Sequence, residues 1–313
     1  MSDPIPPADY RQALAEGWLP IREAALRTGV NPVTLRAWER RYGLVVPYRS
    51  PKGHRLYSPQ QVERIAQVRT WLDRGVAVSK VRTLLDLPQE PAPTDTDASP
   101  WEQLRQQALD AIARLDERTL DEVFNGALAI YPAQTLCERL MLPLQAELQR
   151  RWQGQFGSWL ERLCFHSWLR SKLGSRLYHH NRQHAGAPLL LVNQSEQALE
   201  TGHWLCAWLA SNSGCPVVVL DGPLPPGELA LAEERLAPRG VLLYSNQTLN
   251  TAHLPRLLAG LNGPVVLAGA SVSIHAQALE SLVLEHPCLH LAPDAVQAYR
   301  HLQTLGLFTE NPA

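Results

Sequence analysis

Long apolar runs are the first thing this chain lacks: no segment reaches the roughly 18 uninterrupted apolar residues of a membrane-spanning helix. Its opening, MSDPIPPADY, holds neither the basic nor the apolar stretch of a secretory leader. Both absences set the expectation of a soluble, cytoplasmic protein with no membrane partner. Cysteine is scarce too. Five occur, at Cys137, Cys164, Cys206, Cys215 and Cys288, and an odd set without CxxC spacing argues against a disulfide framework or a structural zinc site. Gly-rich phosphate loops are missing: VVLAGAS, from Val265 to Ser271, carries Gly269 as its sole glycine, too few for a dinucleotide fingerprint. Glu200, Glu233 and Glu234 have no evident partner in the sequence, so no catalytic constellation emerges and no enzyme is expected.

What is present is large enough for a sizeable core: 313 residues, 45% of them hydrophobic, a length that suggests two or three domains at roughly 100–200 residues each. The net charge of −1 hides an asymmetry. Trp18 to Asp86 holds 13 Lys and Arg against 5 Asp and Glu, while the rest of the chain holds 16 against 25. A basic head on an acidic body points to a polyanionic partner for the head alone. Within that head, Ile21, Ala24, Ala25 and Val30 recur at helical spacing, Gly29 suits a left-handed helix end, and Asn31-Pro32 marks a turn into a second helix, Val33 to Tyr42. This second helix is rich in arginine. Two short helices with a Gly-bearing turn suit a major-groove reader, although an ordinary exposed basic helix satisfies the same spacing. The Pro- and Gly-bounded basic loop that follows, from Pro47 to Arg55, has the composition of a wing along phosphates. Beyond it, Ser58-Pro59 starts a helix with an apolar stripe at Val62, Ile65, Val68 and Leu72.

TLRAWERRYGL, then P-x-R, GHRLYS and the helix QQVERIAQVRTWLDRGVAVSKVRTLL, together resemble the DNA-binding domain of the MerR family of transcription factors. The Trp38 form with RRYGL is similar to the branch that includes the cobalamin-dependent repressors and the MlrA-type regulators. The resemblance implies that the helix around Val33 to Arg41 enters the major groove and that the wing grips the backbone. Arg36, Arg40 and Arg41 are accordingly expected at base edges, Thr34 and Tyr42 assist there or at phosphate, and Arg49, Lys52, His54, Arg55 and Tyr57 serve the wing. One short helix reads few base pairs, so a homodimer on a pseudo-palindromic promoter site is expected. RNA polymerase is the further partner the family implies.

Pro88 to Pro100, PQEPAPTDTDASP, is Pro-rich and acidic and reads as a linker. The expected layout is a lead-in (1–17), a winged helix-turn-helix domain (18–87), the linker (88–100), a helical bundle (101–184) and an α/β domain (185–313). In the last, PLLLVN, CPVVVLDG, GVLLYSN, GPVVLAG and CLHLAP are β-type runs separated by helical stretches, the signature of a flavodoxin-like doubly wound parallel sheet. The fold class is thus multi-domain α and α/β. That order resembles the cobalamin-binding branch of the family, and YPAQTL at Tyr131 to Leu136 is similar to the same segment of MlrA-type proteins. Cobalamin-binding members carry DxHxxG or ExHxxG after the first strand. Here that stretch is Gln197 to Gly202, with Leu199 at the metal-ligand position. Leucine has no lone pair for cobalt. The family's upper-face motif, Trp, nine intervening residues, then Glu-His, keeps Trp152 but has Arg162 and Leu163 in place of Glu-His.

No cofactor and no metal are therefore expected. His203, one turn further on, is expected to point elsewhere. His179, His180 and His184 read as a solvated connection, and Trp152, Trp159, Trp168, Trp204 and Trp208 as core or interface residues. The expectation is a DNA-binding regulator, an activator in the MlrA-like manner, controlled by a protein partner at its C-terminal domain. The alternative is a repressor that senses a small molecule, cobalamin or a nucleotide, in the crevice formed by Asn193 to Gln197, Asp221-Gly222, Asn246-Gln247 and Gly269 to Ser273.

Overall fold

The computed structural model describes residues 10–85, 100–154, 156–196 and 199–308. The start of the expected lead-in, the expected linker up to residue 99, and Gln197 lie outside the described residues. The chain divides into two compact units, Met1–Gln153 and Gly154–Ala313.

In the first unit, α1 (Tyr10–Ala15) leads through β1 (Leu19–Pro20) into α2 (Ile21–Thr28), which Gly29 ends at φ 70°. Asn31 caps α3 (Pro32–Ala37) by accepting the Thr34 N–H, with Pro32 at the first helical position. A π turn, Trp38–Tyr42, prolongs α3, and its wider i→i+5 pitch ends where the Gly43 N–H reaches the Trp38 carbonyl. Then come β2 (Tyr48–Arg49) and β3 (Arg55–Tyr57), which pair antiparallel, with β1 on the other edge of β3. Ser58 and Gln61 form a reciprocal capping box at the start of α4 (Pro59–Asp73), whose Val62, Ile65, Val68 and Leu72 are all buried, as their spacing requires. The helix α5 (Val78–Leu85) packs on α4.

The unit continues with α6 (Pro100–Ala113), α7 (Glu117–Leu128, capped by Asp116), α8 (Ala133–Leu136), a second π turn Cys137–Met141, and α9 (Leu142–Arg151). Helix α6 packs against α7 and α9. The 24-residue α10 (Ser158–Asn181) falls in the second unit, so the helices expected between 101 and 184 are shared between both.

The second unit is the doubly wound α/β fold. Its strands are β4 (Leu189–Asn193), β5 (Val217–Leu220), β6 (Gly240–Tyr244), β7 (Val265–Ala268) and β8 (Leu289–Ala292), one for each apolar run. They lie parallel in the order β5-β4-β6-β7-β8. The central strands β4, β6 and β7 are buried throughout, whereas the edge strands β5 and β8 are only partly so. Between the strands run α11 (Thr201–Asn212), α12 (Pro226–Leu236), α13 (Leu254–Leu258), α14 (Ala270–Ile274), α15 (Ala276–Glu285) and, last, α16 (Ala295–Thr304). Leu229, Leu254, Leu257, Leu258, Leu279 and Leu282 bring α12, α13 and α15 onto one face of the sheet. On α11 nearly every residue is buried, Thr201, His203 and Ser211 included, because it packs on β4, α10 and α16 at once. No helix among the described residues is long and apolar enough to cross a membrane.

Candidate nucleic-acid interface

The second helix of the helix-turn-helix has two faces. Thr34, Leu35 and Trp38 are buried, while Val33, Arg36, Arg40 and Arg41 are exposed. Residues 36 and 40 stand four apart and share a face. None of the three arginines has a hydrogen bond or ion pair within the described residues, so their guanidinium groups project outward unpaired. Gly43 closes this helix at φ 57°, and a Cβ added there would lie 3.2 Å from the Arg82 guanidinium.

The wing is a short hairpin. The Ser50 N–H donates to the His54 carbonyl (2.9 Å), the His54 N–H donates to Ser50 Oγ (3.2 Å), and the exposed Lys52 rides the turn between them. Glu39, which the sequence reading did not single out, fastens this wing to the helix. Its Oε1 accepts from Arg49 Nη2 and its Oε2 from Arg55 Nε, both at 2.6 Å. Desolvation pushes the Glu39 carboxyl up, but hydrogen bonds and charge from Arg55 and Arg49 outweigh it and hold the group below the usual carboxylate range. The only signal in the sequence was one acid inside an arginine-rich helix.

Three sequence expectations are corrected here. Thr34 is 0% exposed, because it is the inward residue of the turn that Asn31 caps. Tyr57 is likewise 0% exposed; β3 turns it into the core, and burial followed by the Glu39 charge pushes its hydroxyl up to about 12. Neither side chain is presented to DNA. The Arg55 side chain is 13% exposed and taken up by Glu39, so it braces the wing instead of offering a free cation. Arg49 keeps half of its side chain exposed beyond the same ion pair, and Tyr42 is half-buried.

The back of the same helix meets the segment that follows α7. Trp38 Nε1 donates to the Ile130 carbonyl at 2.8 Å, and Thr34 Oγ1 to the Leu128 carbonyl at 3.5 Å. One turn on, Thr135 Oγ1 donates to Asp73 Oδ1 at 2.6 Å, and Arg139 donates to the Asp73 carbonyl.

In the α/β unit, the loops after β4, β6 and β7 meet at the carboxyl end of the sheet. The buried Glu200 carboxylate accepts from Ser195 Oγ (3.0 Å) and Asn246 Nδ2 (2.8 Å). Asn246 Oδ1 accepts from the Tyr244 hydroxyl (3.1 Å) and the Ala270 N–H (3.0 Å), and Gln247 Oε1 from the Glu196 N–H (3.1 Å). Burial raises the Glu200 carboxyl despite these donors. Asp221 belongs to a different cluster, where it accepts from Trp204 Nε1 (2.8 Å) and Arg170 (3.1 Å). Leu199 holds φ 63°, and a Cβ at Gly202 would run into the Tyr244 hydroxyl. His203 is fully buried beside the Tyr244 ring, and desolvation drives it down to about 4. His179 and His180 sit in the last turn of α10, not in a loop, with His180 Nδ1 3.2 Å from Ser211 Oγ. Trp168 and Trp208 are core residues, whereas Trp159 is exposed.

A family model described as MerR HTH family regulatory protein matches residues 19–87. The HTH-type transcriptional regulator MlrA of Escherichia coli (strain K12) is 33% identical over 240 residues, covering 76% of this chain and 92% of that protein. The chain belongs to the MerR family. Within the family, MlrA of Salmonella typhimurium (strain SL1344) is 39% identical over 129 residues, 41% of this chain and 51% of that protein, so the chain spans about half the length of that relative. The HTH-type transcriptional repressor CarH of Myxococcus xanthus is 27% identical over 291 residues, 87% of this chain and 95% of that one. A second model, described as a B12 binding domain, matches residues 104–176, the helices ahead of the parallel sheet. The residues present do not fit a cobalt-ligating site. Leu199 offers no lone pair, Arg162 and Leu163 replace the acid and imidazole of the upper face, and His203 is enclosed between helix and sheet.

Proposed function

We propose that this MerR-family protein is a homodimeric, sequence-specific regulator that reads promoter DNA through Arg36, Arg40 and Arg41, with Lys52 and Arg49 of the wing on phosphates. The observation that carries this reading is the unpaired, outward-facing arginine face of α3 and its π turn beside a wing that Glu39 holds in place. Arginine forks read guanine edges in the major groove, and lysine neutralises phosphate as a point charge. His54 and Tyr42 assist at the margin of the same surface.

Activation through RNA polymerase fits the MlrA-like motif set, and a protein partner at the second unit fits its lack of cobalt ligands. Phe156, Trp159, Leu160 and Leu163, exposed at and just before the start of α10, supply apolar surface for that partner. No catalytic role is assigned. The second reading, a small-molecule sensor, is favoured by the polar meeting of the Ser195, Asn246 and Gln247 loops at the sheet's carboxyl edge, the usual place for a ligand in this fold.

The test is footprinting with an operator selected from random duplexes by the full chain. Arg36→Ala is expected to abolish selective protection while weak general binding persists. Unchanged footprints for Arg36→Ala and Lys52→Ala would sink the reading. An absorbance spectrum of the purified protein separates the two sensing modes: a bound nucleotide adds ultraviolet absorbance, a corrinoid adds colour, and a protein-controlled regulator shows neither.

A further inference from the structure

We propose that the recognition helix is set from behind by the segment Leu128 to Arg139, and that Trp38 is its principal positioning residue. This rests on the reading of α3 as the helix that enters DNA. A domain that ended at residue 87 would leave the indole N–H of Trp38 and the hydroxyl of Thr34 uncovered. Both are fully buried here because a later part of the chain supplies their acceptors.

Those acceptors are available for a physical reason. The last carbonyls of a helix have no intrahelical partner. Leu128 ends α7, and the residue four further on, whose N–H would continue the ladder, is Pro132, which has none. The Leu128 and Ile130 carbonyls thus face the buried side of α3 and receive Thr34 and Trp38. Helix C-termini also carry partial negative charge, which strengthens such carbonyls as acceptors. The attachment continues along α8: Thr135 and Arg139 both reach Asp73, at the end of α4, so the segment holds the recognition helix and the helix beneath it together.

The arrangement leaves Arg36 and Arg40 exposed on the opposite face. The segment therefore does not cover the reading surface. It fixes the tilt at which that surface is offered, and any displacement of the α7–α8 junction is passed to α3 through an indole hydrogen bond with no flexible linker between. The segment includes YPAQTL and ends within the π turn Cys137–Met141, which carries the Arg139 that donates to Asp73.

The experiment measures binding of the full chain to its selected operator and to a scrambled duplex over a salt series. Trp38→Phe keeps an aromatic ring, smaller than the indole, and removes the N–H; Thr135→Val removes the hydroxyl with nearly the same side-chain shape, and Thr135→Ser restores it. Trp38→Phe and Thr135→Val are each expected to weaken operator binding by about 5- to 10-fold, with scrambled-duplex binding and the salt slope unchanged, and Thr135→Ser is expected to recover most of the loss. Wild-type operator affinity in Trp38→Phe and Thr135→Val, alongside loss in Arg36→Ala, overturns the strut while leaving the DNA reading intact. If Arg36→Ala binds as wild type, the DNA reading fails and the strut with it. A lower salt slope in Trp38→Phe also overturns the proposal, since it marks a lost phosphate contact. Should Trp38→Phe fail to fold by circular dichroism, the Thr135→Val and Thr135→Ser pair decides alone.

Discussion

The DNA-reading head and the carboxyl edge of the α/β sheet both gather polar side chains at a surface, yet they treat them in opposite ways. On α3, its π turn and the wing, Arg36, Arg40, Arg41 and Lys52 extend outward with no partner among the described residues, and Glu39 is committed to Arg49 and to Arg55 Nε in holding the frame. At the sheet edge, Glu200, Ser195, Asn246, Tyr244 and Gln247 turn toward one another, and the space over Gly202 is filled by the Tyr244 side chain. Polar side chains are thus left outward and unpaired in one unit and turned into an internal brace in the other. What separates them is whether the fold leaves their hydrogen-bonding capacity unspent: these five residues satisfy one another, while Gln194 Nε2, Thr201 Oγ1 and Ser271 Oγ of the same edge stay buried without a partner among the described residues.

The largest effect that sharpens this contrast is expected from acid on the second unit. Between pH 6.5 and about 4 an unfolded chain takes a proton at His203 that the folded chain refuses. Stability therefore falls as pH is lowered through that window, by roughly 3 kcal/mol at its lower end, and is level above it. The neighbouring Tyr244 hydroxyl, which burial raises well above its ordinary value, does not titrate in this window. His203→Leu should flatten part of this slope in chemical denaturation of the full chain followed by near-ultraviolet circular dichroism, the remainder coming from His166, which burial drives down to about 4 as well; an unchanged slope would show that His203 does not contribute.

Next is Arg36→Ala, which should cost about 1–3 kcal/mol of operator binding per half-site and relax selectivity at the bases it reads. Thermal stability should be unaltered, since the residue braces nothing. A matching loss on scrambled duplexes would place Arg36 on phosphate instead.

Glu39→Gln comes third. It removes the single carboxylate charge that ties both Arg49 and Arg55 to the helix, and a few-fold loss of operator affinity is expected from a looser wing. In the wild type the same interaction is complete above the ordinary carboxylate value of 4.5 and is lost as pH falls below it, since the folded group is held lower. Hydrogen exchange at Ser50 and His54 amides would report it. An equally protected hairpin in Glu39→Gln contradicts the bracing role.

Smallest is Lys52→Ala. It should weaken every duplex by a similar small factor and reduce the slope of log affinity against log salt by about one. A slope that stays the same would remove Lys52 from the phosphate contacts.

Much of the architecture is legible from local pattern. The Val62, Ile65, Val68, Leu72 stripe became the buried face of α4, Ser58-Pro59 its cap, and five apolar runs became five parallel strands. Side-chain direction was harder to read. Thr34, Arg55 and Tyr57 have the chemistry of DNA contacts, and only the pleat of β3 and the capped turn before α3 send them inward or into an ion pair. Trp159, at core-like spacing, lies exposed. Long-range acceptors were invisible too, because the Ile130 carbonyl that holds Trp38 lies 92 residues away and has no side-chain signature.

By itself, then, the sequence determined which helices and strands form, where they are capped, that the head is basic, and that Leu199 cannot bind a metal, since each follows from residue chemistry and short-range spacing. The tertiary structure alone decided which arginines remain free, which are held by Glu39, that Tyr244 fills the space over Gly202, and that a segment beyond residue 120 backs the recognition helix. Those outcomes depend on pairings between residues distant in the chain, and a hydrogen bond is assigned only when the fold brings donor and acceptor together.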